Sequence, residues 1–161
     1  HMIDEYLAFA QGEAGEAAQT VTVADMLKVA AEDARRAGVE AEVVAPADLT
    51  ATVRPIAFRR ALANLAGNAA AHGEHVRLSA RALSSGGLEV VIEDDGPGIP
   101  PDMYEEAFRP FSRLDPARNQ NRKGVGLGLA IARDVARGHG GDITLDRSDL
   151  GGLRAMIRLP G

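Results

Sequence analysis

The apolar positions of this chain switch between two periods, one helical and one extended. Ile3, Tyr6, Leu7 and Ala10 recur at helical spacing and read as the tail of a helix. TVTV at 20–23 predicts a short strand. Met26, Leu27, Ala30, Ala31 and Ala34 then share one stripe of a helix over 24–37, closed by Gly38. Strand-like runs follow at Val39–Val44 and Thr50–Val53. Residues 56–72 are alanine-rich with no internal proline, and predict a helix that ends at Gly73. His75–Leu83 and Leu88–Asp94 flank SSGG as a hairpin. A helix over 125–137 stops at GHGG, and strands at 142–146 and 153–159 meet in a turn around Gly151-Gly152. From Gly96 to Gly124 only a turn of helix near Met103–Phe108 is regular, and so long a connection within a compact domain points to function. Hairpins mixed with helices predict a mixed sheet with helices over one face.

The length of 161 residues suits one domain with a sizeable core. Hydrophobic residues at 45% and charged residues at 25% argue against wholesale disorder. A net charge of -5, with no basic stripe to track phosphates, argues against nucleic acid as a partner. One small anion needs only local donors and stays open. The absence of cysteine excludes a disulfide framework and thiolate metal sites and makes the cytoplasm the expected compartment. No apolar run approaches the ~20 residues of a membrane-spanning helix. His1-Met2 reads as a cloning scar, residues 3–19 as the remnant of a helix and a linker, and residues 20–161 as the folded domain.

Four stretches carry candidate chemistry. In NLAGN, Asn64 and Asn68, with His72 beyond them, fall at i, i+4 and i+8 on one helix stripe, apart from the apolar Leu62, Leu65, Ala66 and Ala69. Asparagine is a poor residue for a helix interior, so two on one stripe ask for a reason. A solvated polar face is one; an amide oxygen of Asn68 as a hard ligand for Mg²⁺ is the other. In KGVGLGLAIARDVA, Gly124, Gly126 and Gly128 lead into a helix start, whose unpaired N–H groups and dipole favour an anion. The polar loop before it and the missing Gly-Lys-Ser/Thr disfavour a Rossmann or Walker motif.

In EDDGPGIP, Asp94 ends a strand, and Gly96 and Gly98 let the chain fold back so that the carboxylate faces a cavity. A carboxylate only accepts hydrogen bonds. It pairs with the exocyclic amine of adenine and opposes the carbonyl of guanine, a mismatch of about 1–3 kcal/mol. The long loop carries Phe108, Phe111, Arg113, Arg118, Arg122 and Lys123, which read either as a solvated loop anchored by its aromatics or as an apolar anchor that presents cations to phosphates.

Together these motifs resemble the ATP-binding catalytic domain of sensor histidine kinases, within the gyrase, Hsp90 and MutL ATPase superfamily. NLAGNAAAH resembles the N box, EDDGPGI the G1 box, FRPFSR the F box and KGVGLGLAIA the G2 box, with GGLRAMIRLP similar to the closing strand. All occur in the family's order over roughly residues 20–160. The resemblance implies an α+β, two-layer sandwich of the Bergerat type, with a mixed sheet of about five strands, three helices on one face and a long ATP lid over residues 99–123. It implies that Asn68 ligates Mg²⁺, that Asn64 sits by the phosphates as the catalytic residue, and that Asp94 holds the adenine amine. Gly96, Gly98 and Ile99 would shape the pocket, and Lys123, Gly124, Val125, Gly126, Leu127 and Gly128 would bound the triphosphate, with Phe111 and Arg113 from the lid.

Many members carry a basic residue and then an aromatic where this chain has Ala71 and His72. The resemblance sets His72 against the base, an ordinary helix-end histidine being the other reading, and leaves Arg113 or Lys123 to replace the lost cation. None of His1, His72, His75 or His139 has the context of a phosphoacceptor. The implied activity is therefore transfer of the γ-phosphoryl group of ATP to a histidine on a dimerisation helix outside this chain, and onward to the receiver domain of a response regulator. The full-length protein is expected to be a homodimer with inner-membrane anchorage, and this piece a monomeric cytoplasmic domain. A non-catalytic adenine-nucleotide sensor is the rival reading. An ATPase of the gyrase or Hsp90 type is a second, opposed by the lack of any acid between Ile56 and His72.

Overall fold

The computed structural model describes residues 16–109 and 128–160. Strand β1 (Gln19–Thr22) runs into helix α1 (Val23–Arg36), then β2 (Glu40–Val44), β3 (Thr50–Val53), α2 (Pro55–His72), β4 (His75–Ala82) and β5 (Leu88–Asp94). A 3-10 turn (Pro101–Met103) and the short helix α3 (Tyr104–Ala107) follow, then α4 (Gly128–Gly138), β6 (Asp142–Arg147) and β7 (Leu153–Leu159). Three long helices and the main sheet lie where the periodicity predicts them. Two details differ. Val23 opens α1 instead of closing the first strand, and the turn of helix near Met103–Phe108 makes α3 a fourth helix.

The main sheet has the order β2-β4-β5-β7-β6, with β2 and β4 parallel and the other pairs antiparallel. Strands β1 and β3 pair separately as an antiparallel ribbon. The inward positions Val76, Leu78, Val90, Ile92, Ile143, Leu145, Ala155 and Ile157 join Leu27, Phe58, Leu62, Leu65 and Val135 of the helices in one buried cluster. Burying each Leu, Ile or Phe there contributes about 1.5–3 kcal/mol. The helices cover that face alone.

Two rows of charge cross the other face, on either side of a row holding Ser79, Val91, Met156 and Thr144. Register aligns Arg81, Glu89, Arg158 and Asp142 in one row across four strands, and Glu42, Arg77, Glu93, Arg154 and Asp146 in a second across five. Glu89 is buried between Arg81 and Arg158, each at 2.9 Å, and Arg81 foremost holds its carboxyl below the usual range. Glu93 meets Arg77 at 3.1 Å and accepts a 2.7 Å hydrogen bond from Ser148. These pairs let Glu89 and Glu93 be buried on a side of β5 that no second layer covers among the described residues.

Candidate functional site

Helix α2 is the spine of the site. Pro55 occupies its first turn, where a missing N–H costs nothing. Glu16 caps it from 40 residues away: one carboxylate oxygen accepts the Ile56 N–H at 2.6 Å and the other the Ala57 N–H at 3.0 Å. A carboxylate there satisfies orphan donors and complements the helix dipole. Ala57, Phe58, Ala61, Leu62, Leu65, Ala66 and Ala69 bury the inner stripe. Asn64, Asn68 and His72 are half-buried on their own stripe. The amide nitrogen of Asn64 is buried and has no hydrogen-bond partner among the described residues. A buried donor left unpaired costs about 1–3 kcal/mol, so a ligand acceptor there would remove a penalty.

The C-terminal end of α2 abuts the EDDGPGI turn. Gly96 lies so close to the His72 carbonyl that a β-carbon would collide with it. Gly73, whose N–H closes the helix on Ala69 at 2.9 Å, would bring a β-carbon within 2.7 Å of Asp95 Oδ1. Asp94 ends β5 in register with the inward-facing Val76 and is 2% exposed. Its Oδ1 accepts the Gly96 N–H at 2.8 Å and the Leu153 N–H at 3.4 Å, and its carbonyl accepts the Gly152 N–H at 3.1 Å. The carboxylate is thus held by backbone on the helix side of the sheet. Gly98 takes φ +72, a conformation open to glycine, and Ile99 packs on the core.

Asp95 turns the other way. It accepts the Glu74 N–H at 2.7 Å, the His75 N–H at 3.0 Å and a 2.7 Å contact from His75 Nδ1. The backbone donors, that of His75 foremost, hold its carboxyl down to about 2. His75 reaches Glu40 of β2 with its other nitrogen at 2.7 Å, and the Asp95 bond above all raises its pKa. A groove of about 770 Å³ along the β2 edge borders Asp95 and His75 and touches none of Asn64, Asn68, His72 or Asp94.

At the other end of the stripe, a β-carbon on Gly128 would sit 3.9 Å from both Cβ and the carbonyl oxygen of Asn64. The first residue of α4 therefore faces Asn64, two turns or about 12 Å along α2 from His72. Gly128 thus meets α2 at Asn64, and Asp94 lies by Gly73 and Gly96 at the C-terminal end of the same helix. Phe111, Arg113, Arg118, Arg122, Lys123, Gly124, Val125, Gly126 and Leu127 lie outside the described residues. Among the described residues no cluster of three or more His, Asp or Glu could hold a metal ion. The donor set that remains, amide oxygens of Asn64 and Asn68, fits a Mg²⁺ that takes most of its oxygens from phosphate and water.

Sequence reasoning missed Gly152 as part of the site, Glu16 as the cap of α2, and Asp95 as the acceptor for the chain that leaves it. Gly151-Gly152 was legible only as a turn, and nothing local in GEAA marks Glu16 as a cap. His139 is structural: Val135 O lies 2.7 Å from its Nδ1, and its Nε2 accepts the Arg54 N–H at 3.0 Å.

The family described as histidine kinase-, DNA gyrase B- and HSP90-like ATPases matches residues 53–161. The sensor histidine kinase GtrS of Pseudomonas aeruginosa is 46% identical over 109 residues, covering 66% of this chain and 22% of that protein. The sensor-type histidine kinase PrrB of Mycobacterium tuberculosis is 37% identical over 144 residues, covering 88% and 32%. Among solved structures, the ATP binding domain of PrrB from Mycobacterium tuberculosis superposes with a TM-score of 0.73 at 33% identity, covering 89% of this chain and 97% of that one. The mycobacterial sensor histidine kinase MprB gives a TM-score of 0.76 at 29% identity over 89% and 97%. The chain spans between a fifth and a third of the length of these curated relatives.

Proposed function

This chain belongs to the histidine kinase-, DNA gyrase B- and HSP90-like ATPase family, and from that premise we propose that it is the ATP-binding catalytic domain of a sensor histidine kinase. The observation that carries this is the layout of α2, with a backbone-held carboxylate at its C-terminal end and, two turns earlier, a buried Asn64 amide nitrogen that has no partner among the described residues and faces a glycine helix start. A purine recognised through its amine belongs at Asp94, and its phosphates at Asn64 and Gly128. His72 lies beside the base, with Gly96, Gly98 and Ile99 forming the wall below it. Asn68, on the same stripe, would hold Mg²⁺, which when bound neutralises phosphate charge. The remaining triphosphate contacts are assigned to Phe111, Arg113 and Lys123 through Leu127.

In this reading the γ-phosphoryl group leaves ADP as its P–O bond breaks and joins a histidine nitrogen of a separate dimerisation helix. The acceptor is already nucleophilic, so the domain's work is positioning and charge neutralisation. Helix α2 carries no acid that could activate water. We assign the segment before β1 to the linker from that dimerisation helix, with Glu16 docked on α2, and the phosphohistidine to a response regulator as donor. No helix among the described residues is long and apolar enough to cross a membrane, and we place any anchor in another part of the full-length homodimer.

The test is a calorimetric titration with ATP, ADP and GTP, with Mg²⁺ present or chelated. Radiolabelled ATP is then added to a mixture with a separately expressed dimerisation helix pair. ATP binding above GTP and label on histidine are expected. Binding without label would replace the kinase by a nucleotide sensor, and steady hydrolysis by the domain alone would revive a gyrase-type ATPase. Asn68→Ala should remove the dependence of affinity on Mg²⁺.

A further inference from the structure

Arg133 of α4 makes contacts in three directions while its side chain is 15% exposed. Nε donates to Asp142 Oδ1 of β6 at 3.0 Å, and Nη1 donates to Glu105 Oε2 of α3 at 3.2 Å. The guanidinium also lies 4.2 Å from the centroid of the Phe108 ring. A planar fork can use its edge for two carboxylates and its face for a ring at once, which an ammonium does not do.

These contacts join two parts of the fold that sequence separates. Helix α3 has four residues, too few to hold themselves, so tertiary contacts decide where it sits. Phe108, directly after it, is 7% exposed. Arg133 lies five residues beyond Gly128, on the helix whose first residue abuts Asn64. One guanidinium therefore ties Phe108, itself packed in the main core, to the helix that opens at the phosphate end of the proposed site. A plain α4–β6 clamp would not need it, because Arg137 already reaches Asp142 at 3.4 Å.

We propose that Arg133 is a positioning residue for the phosphate end of the nucleotide site, acting through Phe108 and Glu105 on one side and through α4 on the other. The proposal rests on the nucleotide reading above. The base end, built on α2, β5 and Gly152, does not pass through Arg133, and this separates a positioning role from a merely structural one.

The experiment titrates the wild-type chain and the variants Arg133→Gln, Arg133→Lys and Phe108→Leu with ATP by calorimetry and with adenosine by chemical-shift mapping. Arg133→Gln is expected to weaken ATP about tenfold, a loss of ~1.4 kcal/mol from misplacing the phosphate end, and to leave adenosine unmoved. Arg133→Lys should recover part of the loss. Phe108→Leu, which spares the Asp142 bond, should reproduce the split, and it keeps the test alive if Arg133→Gln fails to fold. ATP affinity unchanged in these variants, or ATP and adenosine weakened in equal proportion, overturns the proposal. A wild-type chain that binds no ATP overturns the functional reading and this proposal together; wild-type binding with unmoved variants overturns the proposal alone.

Discussion

Gly152 leaves the space that the Asp94 side chain occupies. A β-carbon on Gly152 would stand 2.6 Å from the Asp94 carbonyl oxygen and 2.7 Å from the Gly96 nitrogen, and would strike Asp94 Oδ1. Two of the three are backbone atoms, so the clash has no cheap escape. The closing strand is thus entered through a glycine because a carboxylate from another strand lies across that position.

Gly152→Ala is therefore expected to destabilise the domain by about 1–3 kcal/mol, the range for overpacking. The damage should centre on Asp94, so the variant that remains folded should also lose its preference for ATP over GTP. Denaturant unfolding and paired titrations measure both. Asp94→Ala should narrow the same ratio, and a wild-type ratio in both variants would remove Asp94 from base recognition.

Glu16→Ala strips the cap from α2. The expected loss is about 1 kcal/mol in unfolding free energy, and Glu16→Gln should fall between it and wild type because it keeps an acceptor without the charge. Thermal melts at low and high salt would show it. Equal stability of all three would mean that the bond seen in the structure contributes nothing in solution.

The His75–Asp95–Glu40 cluster makes stability depend on pH in two directions. The His75 pKa is raised above 6.5, so its contribution is complete below that value and is lost as pH rises through the raised pKa. The Asp95 pKa is lowered from 3.8 to about 2, so its contribution is complete above 3.8 and is lost as pH falls toward 2. The cluster is fully engaged between those limits. His75→Gln should melt lower than wild type near pH 5.5 and converge with it near pH 8.5; a difference constant across that range would contradict the pairing.

Gly67 is a helix-interior glycine, and among the described residues no atom beyond the adjoining helix backbone lies within 4 Å of the place a β-carbon would take. Gly67→Ala is expected to stabilise the domain by about 0.5–1 kcal/mol, read from chemical unfolding without nucleotide. A loss of stability would show that the position is less open than it stands.

Much of the fold was legible because its signals are local. The stripe of α1, the alanine-rich run of α2 and the SSGG hairpin follow from periods of 3.6 and 2 that near neighbours set. The acid-to-glycine turn and the asparagine stripe were legible for the same reason, since residue type and spacing within eight positions define them. The charged outer face was not, although every residue of it stands in the sequence. Glu89 and Glu93 read as ordinary polar alternation until strand register set them between arginines of β4 and β7.

The sequence by itself determined which segments are helix and strand, where the acid, the amides and the glycines fall, and the family whose motifs they match. Only the tertiary structure decided that Leu153 and Gly152 close over Asp94, 59 and 58 positions earlier, that Glu16 caps α2, and that Arg133 joins α3 to α4. Periodicity and propensity act over a few residues of one chain segment, whereas these contacts depend on the register of paired strands and the packing of helices, which no single segment encodes.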